Sequence, residues 1–532
     1  MPGFVARAAA RHRVLILPLA LLPFAAPLAA QAPAPLAARI EAILGRPEFR
    51  HALWGIEFLD LETNRPVYAL NADKLFTPGS TAKLLTEGTA LGLLGADHRF
   101  TTRIYRTGEI GRGGVLDGDL VLVASGDPNL SGRIRPDGTL AFENEDHSYG
   151  GDPHTRAVPG DPLLVVRELA AQVAAKGIRR VEGRVLVDAS LFPEGQRELG
   201  TGVVISPIIV NDNLVDVTVA PGAAPDAPTT LAVSPATSYV TFVNQIKTGA
   251  PDSLPLVDIA SDVADPDGTR KVTVAGSFPA GKPAILYSYP VAEPSRFAQV
   301  VLTEALAEKG VEVKGGKDDK APDFAALAKS YTADRAVAEH VSPPLREEVK
   351  VTLKVSQNLH ASLTPLLLGA LLRKEKDQTG FDLERDFLTA LGLDLSGAQQ
   401  ADGAGGDAHY TPAFMVAYLA AMAKRPDFPV FQAALPVLGR DGTLFDIQPD
   451  SPAAGHVSAK TGTYGVDDPL NRRTLVTGKG LAGYLTTAAG RRLAFAIYAN
   501  NVSVSKEPNE IKRVVGQALG EIAAAAYEAP SE

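Results

Sequence analysis

The sequence predicts an α+β fold in which an antiparallel sheet lies between helices and is interrupted by a long β-rich insertion. Three observations predict it. Near the start, residues alternate in polarity over 54–59, turn at Glu62-Thr63-Asn64 and return over 66–70, so a hairpin leads directly into an apolar helix. Near the end, strand patterns at 457–463, 481–487 and 493–499 follow one another, and a helical pattern over 511–527 closes the chain. Between these ends, from about Phe100 to Ala333, the texture changes to short strands with many Gly and Pro and few long helical periods. Strands set between a central and a terminal helix bury both faces of one sheet.

Size and composition bound the rest. At 532 residues the chain exceeds one ordinary core, and about two or three domains are expected. A hydrophobic content of 45% describes a folded globular protein, and a net charge of -9 without a basic block excludes nucleic acid as a partner. The chain has no cysteine, which rules out thiolate catalysis, cysteine-ligated zinc and disulfides. Residues 1–31 carry Arg7, Arg11 and Arg13, then an apolar run from Val14 to Leu22, then prolines and small residues. That succession reads as a secretory signal cleaved after Ala30 or Ala32, so the mature protein is expected to be secreted, in the periplasm. No later segment approaches the ~20 apolar residues of a membrane span, which leaves at most peripheral membrane contact.

The helix after the hairpin opens at Thr77-Pro78-Gly79-Ser80-Thr81-Ala82-Lys83 and ends at Gly95, with so many apolar residues that it is expected to be central and buried. Ser80 then falls in its first turn, with Lys83 three residues on, on the same face and near the positive end of the helix dipole. A lysine buried there loses its proton near neutral pH and can accept the serine proton. Alone, this short pattern most often means an N-cap serine followed by a surface lysine.

In the insertion, 163–176 and 295–309 read as amphipathic helices, and the turn-then-strand units at 115–123 and 181–188 echo each other. Gly126-Asp127-Pro128 and Asn211-Asp212-Asn213 read as turns. His147 and His154, with Asp146 and Asp152, read as a polar surface loop rather than a metal site, because the spacing matches no ligand motif. After Pro343-Pro344 a helical pattern runs through Leu345, Val349 and Leu353 and is expected to carry Ser356-Gln357-Asn358. Sharp loops are expected at Asp402-Gly403-Ala404-Gly405-Gly406 and around Asp441-Gly442-Thr443. The strand at 457–463 carries Lys460-Thr461-Gly462-Thr463 and is followed by a polar excursion.

Ser80-x-x-Lys83, Ser356-x-Asn358 and Lys460-Thr461-Gly462 occur in the order found in penicillin-binding proteins and class A β-lactamases. The chain resembles the D-Ala-D-Ala carboxypeptidase and endopeptidase type of penicillin-binding protein, peptidase family S13, the low-molecular-mass class C group. Local matches extend over nearly the whole mature chain: Asn71-Ala72-Asp73-Lys74-Leu75-Phe76, Gly126-Asp127-Pro128, Asn211-Asp212-Asn213, Ser342-Pro343-Pro344-Leu345, Asp402-Gly403, Asp441-Gly442-Thr443-Leu444 and Leu481-Ala482-Gly483-Tyr484. The resemblance implies the serine β-lactamase and penicillin-binding-protein transpeptidase fold. Residues 33–100 and 334–532 would form the catalytic domain, and 101–333 an inserted region of two subdomains.

It implies a serine peptidase acting on D-Ala-D-Ala stem peptides and peptidoglycan crosslinks, acylated by β-lactams and needing no metal or cofactor. Ser80 would be the nucleophile, Lys83 its base, Ser356 a proton relay and Asn358 a holder of Lys83 and the substrate amide. The Ser80 and Thr463 N–H groups would bind the oxyanion. Lys460, with Thr461 and Thr463, would meet the substrate carboxylate, and Gly462 would leave room beside the strand. Asp127, Glu194 and Glu198 are candidates to meet the amine of a diamino acid. The family pattern is broken at Ala404 and Gly406, where Ser and Leu are usual, at Ser362, where Glu is usual, and by the lack of tryptophan over 192–206. Two other readings use the same motifs: a β-lactamase or esterase, and a cell-wall-binding scaffold with little turnover.

Overall fold

The computed structural model describes residues 35–315 and 321–529. The expected signal segment lies outside these. The central sheet has strands β1 (Leu53–Asp60), β2 (Arg65–Leu70), β3 (Val457–Asp468), β4 (Arg473–Thr486), β5 (Arg492–Asn500) and β6 (Val502–Val504). Their order is β3-β4-β5-β1-β2, all antiparallel, with β6 paired to β4. Residues from the two ends of the sequence therefore meet in one sheet.

Alternation along β5 assigns the two faces. Leu493, Phe495, Ile497 and Ala499 join a core with helices α1 (Leu36–Leu44) and α6 (Gln517–Tyr527). Ala494, Ala496 and Tyr498 face the other way, toward α2 (Lys83–Leu94) and α5 (Pro412–Met422). Each fully buried Leu, Ile or Phe here contributes about 1.5–3 kcal/mol, which makes the helix-sheet-helix sandwich the natural way to bury both faces. Every residue of α2 from Lys83 to Leu91 is buried, so its first turn is held on all sides.

Two expectations are corrected here. The polar excursion after Thr463 is strand: β3 runs on to Asp468 and β4 starts at Arg473, making a long hairpin. Its residues 463–467 are exposed, so no apolar alternation marked them. The Ser356 motif is also not carried within one helix. Helix α3 (Leu345–Lys354) stops before it and α4 (Asn358–Leu372) starts at its Asn358, with Ser356 between them at φ +64°.

Over residues 101–341, strands Ala336–Val341, Thr101–Arg106, Leu120–Val123 and Val185–Asp188 form one sheet. The echoing units lie side by side in parallel, with Leu116 opposite Val181 and Leu120 opposite Val185. Helices Leu164–Ala175 and Pro294–Glu308 share their core with these strands. Two further three-stranded sheets cover 214–290.

Candidate active site

The turn before α2 places the serine. Gly79 sits at φ +52°, and a Cβ there would lie 2.5 Å from the Thr463 nitrogen, so only glycine lets the chain pass this close to β3. Ser80 follows in a 3₁₀ turn (Gly79–Ala82) that winds into α2. Lys83 Nζ lies 2.7 Å from Ser80 Oγ, 2.6 Å from Asn358 Oδ1, 3.3 Å from Ser356 Oγ and 3.4 Å from the Ala404 carbonyl. The three motifs' first two members thus meet at one ammonium. Burial lowers the Lys83 pKa to about 7, even though Glu198, Asp402 and Glu87 pull it up. As a neutral amine it donates to Asn358 Oδ1 and the Ala404 carbonyl and offers its lone pair to the Ser80 proton.

The Asp402 loop is built for this contact. Asp402 Oδ1 accepts from the Ala404 and Gly405 N–H groups, each at 2.7 Å, and turns the Ala404 carbonyl toward Lys83. A Cβ on Gly405, at φ +95°, would sit 2.2 Å from the Gly79 carbonyl. The departure at Ala404 leaves this contact intact, since its carbonyl makes it.

Ser356 is held in its left-handed backbone by a neighbour the sequence did not reveal. The Tyr149 hydroxyl donates to the Ser356 carbonyl at 2.5 Å. Tyr149 ends a short 3₁₀ turn (His147–Tyr149) capped by Asp146. On the other side, Lys354 at the end of α3 pairs with Asp441 at 2.7 Å, and Asn144 accepts from the Gly442 N–H at 2.7 Å. Thr443 in turn accepts from Thr461 at 2.7 Å, which ties this loop to β3.

Behind Tyr149 lies a buried ionic cluster, and it overturns the surface-loop reading of Asp146 and His147. His147 is fully buried, bonded to Asp216 at 2.9 Å and Asp212 at 2.8 Å. Arg133 bridges Asp146 and Asp212 at 2.7 and 2.6 Å, and His360 reaches Asp212 at 2.9 Å and Glu348 at 2.7 Å. Burial alone would discharge both imidazoles, yet Asp216 and Asp212 raise His147 to about 10, and Glu348 and Asp212 raise His360 to about 10. The Arg133 guanidinium already balances Asp146 and Asp212, so the cluster is an ion-paired hub. His154 and Asp152 do lie in an exposed loop. The Asn211-Asp212-Asn213 turn is real, all three at positive φ, but its side chains point inward.

On β3, Lys460 is fully buried, and its ammonium donates to the Thr461 carbonyl at 2.8 Å. Burial, with Lys83 and Lys479 nearby, holds its pKa well below the ordinary lysine value. Thr461 and Thr463 line a cleft of about 900 Å³ together with Ser80, Ser356, Asn358 and Tyr149. The Ser80 nitrogen would lie 3.0 Å from a Cβ on Gly462, and the Thr463 nitrogen 2.5 Å from one on Gly79, so the two N–H groups are neighbours.

The family model for "D-Ala-D-Ala carboxypeptidase 3 (S13) family" matches residues 36–519. The chain belongs to the S13 peptidase family. Curated relatives include a D-alanyl-D-alanine carboxypeptidase of Actinomadura sp. (strain R39), 29% identical over 99% of this chain and 92% of the relative. Another is the D-alanyl-D-alanine carboxypeptidase DacB of Haemophilus influenzae, 24% identical over 85% of this chain and 86% of the relative. The crystal structure of penicillin-binding protein 4 from Haemophilus influenzae superposes with a TM-score of 0.68 at 20% identity, covering 92% of this chain and 99% of that one. The fold is therefore that of the S13 penicillin-binding proteins, α+β as the strand and helix order predicts.

Within this S13 member the acidic candidates separate. Asp127 is buried away from the cleft, and burial raises its pKa to about 7. Glu194 accepts from Ser206 and from Ser295. Glu198 folds onto Gly200 and Thr201, beside Leu199 and Gly200, which line the cleft. Lys479, also on the cleft wall, has no signal in the sequence because it lies within the stretch that read as a polar excursion.

Proposed function

We propose that this serine D-Ala-D-Ala carboxypeptidase works through an acyl-enzyme on Ser80, cleaving stem peptides that end in D-Ala-D-Ala and the D-Ala crosslinks of peptidoglycan. Neutral Lys83 takes the Ser80 proton as the oxygen attacks the carbonyl, and the tetrahedral oxyanion is met by the Ser80 and Thr463 N–H groups. Each such donor is worth about 3 kcal/mol of barrier. Ser356 passes a proton to the leaving nitrogen, which departs as the free amine, and Asn358 keeps Lys83 oriented and holds the substrate amide. Thr461 and Thr463 make the carboxylate end of the site, with Lys460 behind them on β3 and Gly462 giving space. Water then attacks the ester, and β-lactams acylate the same oxygen.

The observation that carries this reading is the Lys83 contact set: one buried amine, near its own pKa at neutral pH, within 2.7 Å of a serine and 2.6 Å of an asparagine from a distant motif. The leader-like residues 1–31 support an exported, periplasmic enzyme, and residues 101–333 are read as the insertion that supplies Tyr149 to the cleft. The test is labelling with a fluorescent penicillin, followed by release of D-Ala from a stem pentapeptide. Wild type is expected to label and to release D-Ala, while Ser80→Ala does neither. A protein that stays dark in both forms refutes the acyl-enzyme.

A further inference from the structure

We propose that Lys479 is the cation that receives the α-carboxylate of the residue leaving from the scissile bond, which makes it a specificity determinant of the reaction. The inference rests on the acyl-enzyme reading above and goes beyond it in naming what selects the leaving residue. The stretch resembling the family pattern assigns the carboxylate to Lys460, and geometry argues otherwise. Lys460 has no exposed surface, and its ammonium is turned back onto its own strand at the Thr461 carbonyl.

Lys479 stands where Lys460 does not reach. In the β3–β4 register it lies directly opposite Thr463, and cross-strand partners share a face of the sheet. Its Nζ donates to Thr463 Oγ1 at 2.6 Å, and both residues line the cleft that contains Ser80. Lys479 is 8% exposed, all that a side chain at the bottom of a cleft needs in order to meet a ligand. No carboxylate among the described residues forms an ion pair with it. Asp446, the acid whose charge acts on it, is held by Lys512 at 2.8 Å. A cation without a counter-ion, set in the cleft wall beside the nucleophile, calls for an anion from the substrate.

The local hydrogen bonding fits a carboxylate. Because Thr463 Oγ1 accepts from Lys479, its own O–H is free to donate in another direction. A carboxylate lying against β3 takes one hydrogen bond from that hydroxyl and one from a second ammonium N–H of Lys479. This is a two-point, charge-assisted grip. Burial and Lys512 lower the Lys479 pKa to about 8, which leaves it mostly protonated at pH 7, and an incoming anion raises it again. Both substrate classes present this group, since a terminal D-Ala and the D-centre of a crosslinking diamino acid each carry an α-carboxylate next to the leaving amine. Amidation of that carboxylate removes the partner of Lys479, so amidated leaving residues are predicted to be poor substrates.

The experiment compares a stem peptide ending in D-Ala-D-Ala as the free acid with the same peptide as the C-terminal amide, and benzylpenicillin with its methyl ester. Wild type is expected to prefer both acids. Lys479→Met is expected to lose about 10- to 100-fold in kcat/KM on the acids and little on the neutral forms, collapsing the preference, while Lys479→Arg keeps most of it. An unchanged acid-to-neutral ratio in Lys479→Met overturns the proposal, and so does an equal loss on both forms with Lys479→Arg equally impaired. The ratio is read within one protein preparation, so a partly unfolded variant does not mimic the effect. Failure of the peptidase reading looks different: wild type would then release no D-Ala, and the acid and ester acylation rates alone would decide the role of Lys479.

Discussion

Lys83 can act as a base only while it is unprotonated, and the geometry sets the pH at which that holds. Its pKa is lowered to about 7 by burial, so below that value the ammonium form dominates and the lone pair is lost. The rate of Ser80 acylation by penicillin is therefore expected to rise about tenfold per pH unit up to roughly 7 and then level off, as measured by stopped-flow labelling. A profile flat from pH 5 to 8 would remove Lys83 from the base role. Tyr149 makes a second prediction at this scale. Tyr149→Phe removes the donor to the buried Ser356 carbonyl and releases a backbone held at φ +64°. An unmade buried hydrogen bond of this kind costs about 1–3 kcal/mol, so kcat is expected to fall about tenfold or more with KM little changed. The Ser80–Lys83 contact was legible because the two lie three residues apart, across the 3₁₀ turn that winds into α2. Tyr149 was not, because it reaches Ser356 from more than two hundred positions away and no local pattern marks such a contact.

Among the elements, the β3–β4 hairpin has the most consequence for substrate choice. Its outer part, from Tyr464 to Asp467 and at Thr474, walls the cleft beyond Thr463, the side on which a carboxylate held by Lys479 would place the leaving group. On that placement a single D-Ala is too short to reach the wall, whereas the peptide released from a crosslink would be long enough to lie against it. Replacing residues 467–474 with an Asn-Gly turn joins Val466 to Leu475, which already face each other in the register. Penicillin labelling and D-Ala release are expected to persist, and cleavage of a crosslinked muropeptide dimer to fall about tenfold, read by chromatography of the products. Equal loss on both substrates would assign the hairpin a purely structural part. The sheet itself was legible wherever one face was apolar, as in β1 and β5, where alternation survives in the sequence. It was illegible where both faces of the hairpin meet water. The break between α3 and α4 was missed for a related reason: Val355 and Leu359 continue the apolar pattern across a residue whose backbone is left-handed.

At the scale of the whole molecule, the buried hub joins segments that the sequence keeps far apart. Arg133, Asp146, His147, Asp212 and Asp216 come from residues 133–216, while Glu348 and His360 come from α3 and α4, which flank Ser356. The chain from Pro35 onward forms one compact unit, in keeping with such ties. The sign of their pH dependence follows from the imidazoles. The folded pKa of both His147 and His360 is raised to about 10, above the unfolded value near 6.5. Their contribution is therefore fully present below about pH 6.5 and is lost as pH rises through 10. The melting temperature is expected to fall between pH 7 and 10 more steeply in wild type than in His360→Gln, which has one fewer raised group to lose. Asp212→Asn leaves Arg133, His147 and His360 facing one another with a neutral amide in place of their shared counter-ion, and breaking such a buried set costs about 3–5 kcal/mol. Because the same residue braces α4 beside Asn358, the variant is expected to melt several degrees lower in a single calorimetric transition and to label more slowly with penicillin. Two separate transitions, with only the lower one shifted and labelling unchanged, would show that the hub serves residues 133–216 alone and does not couple them to the cleft.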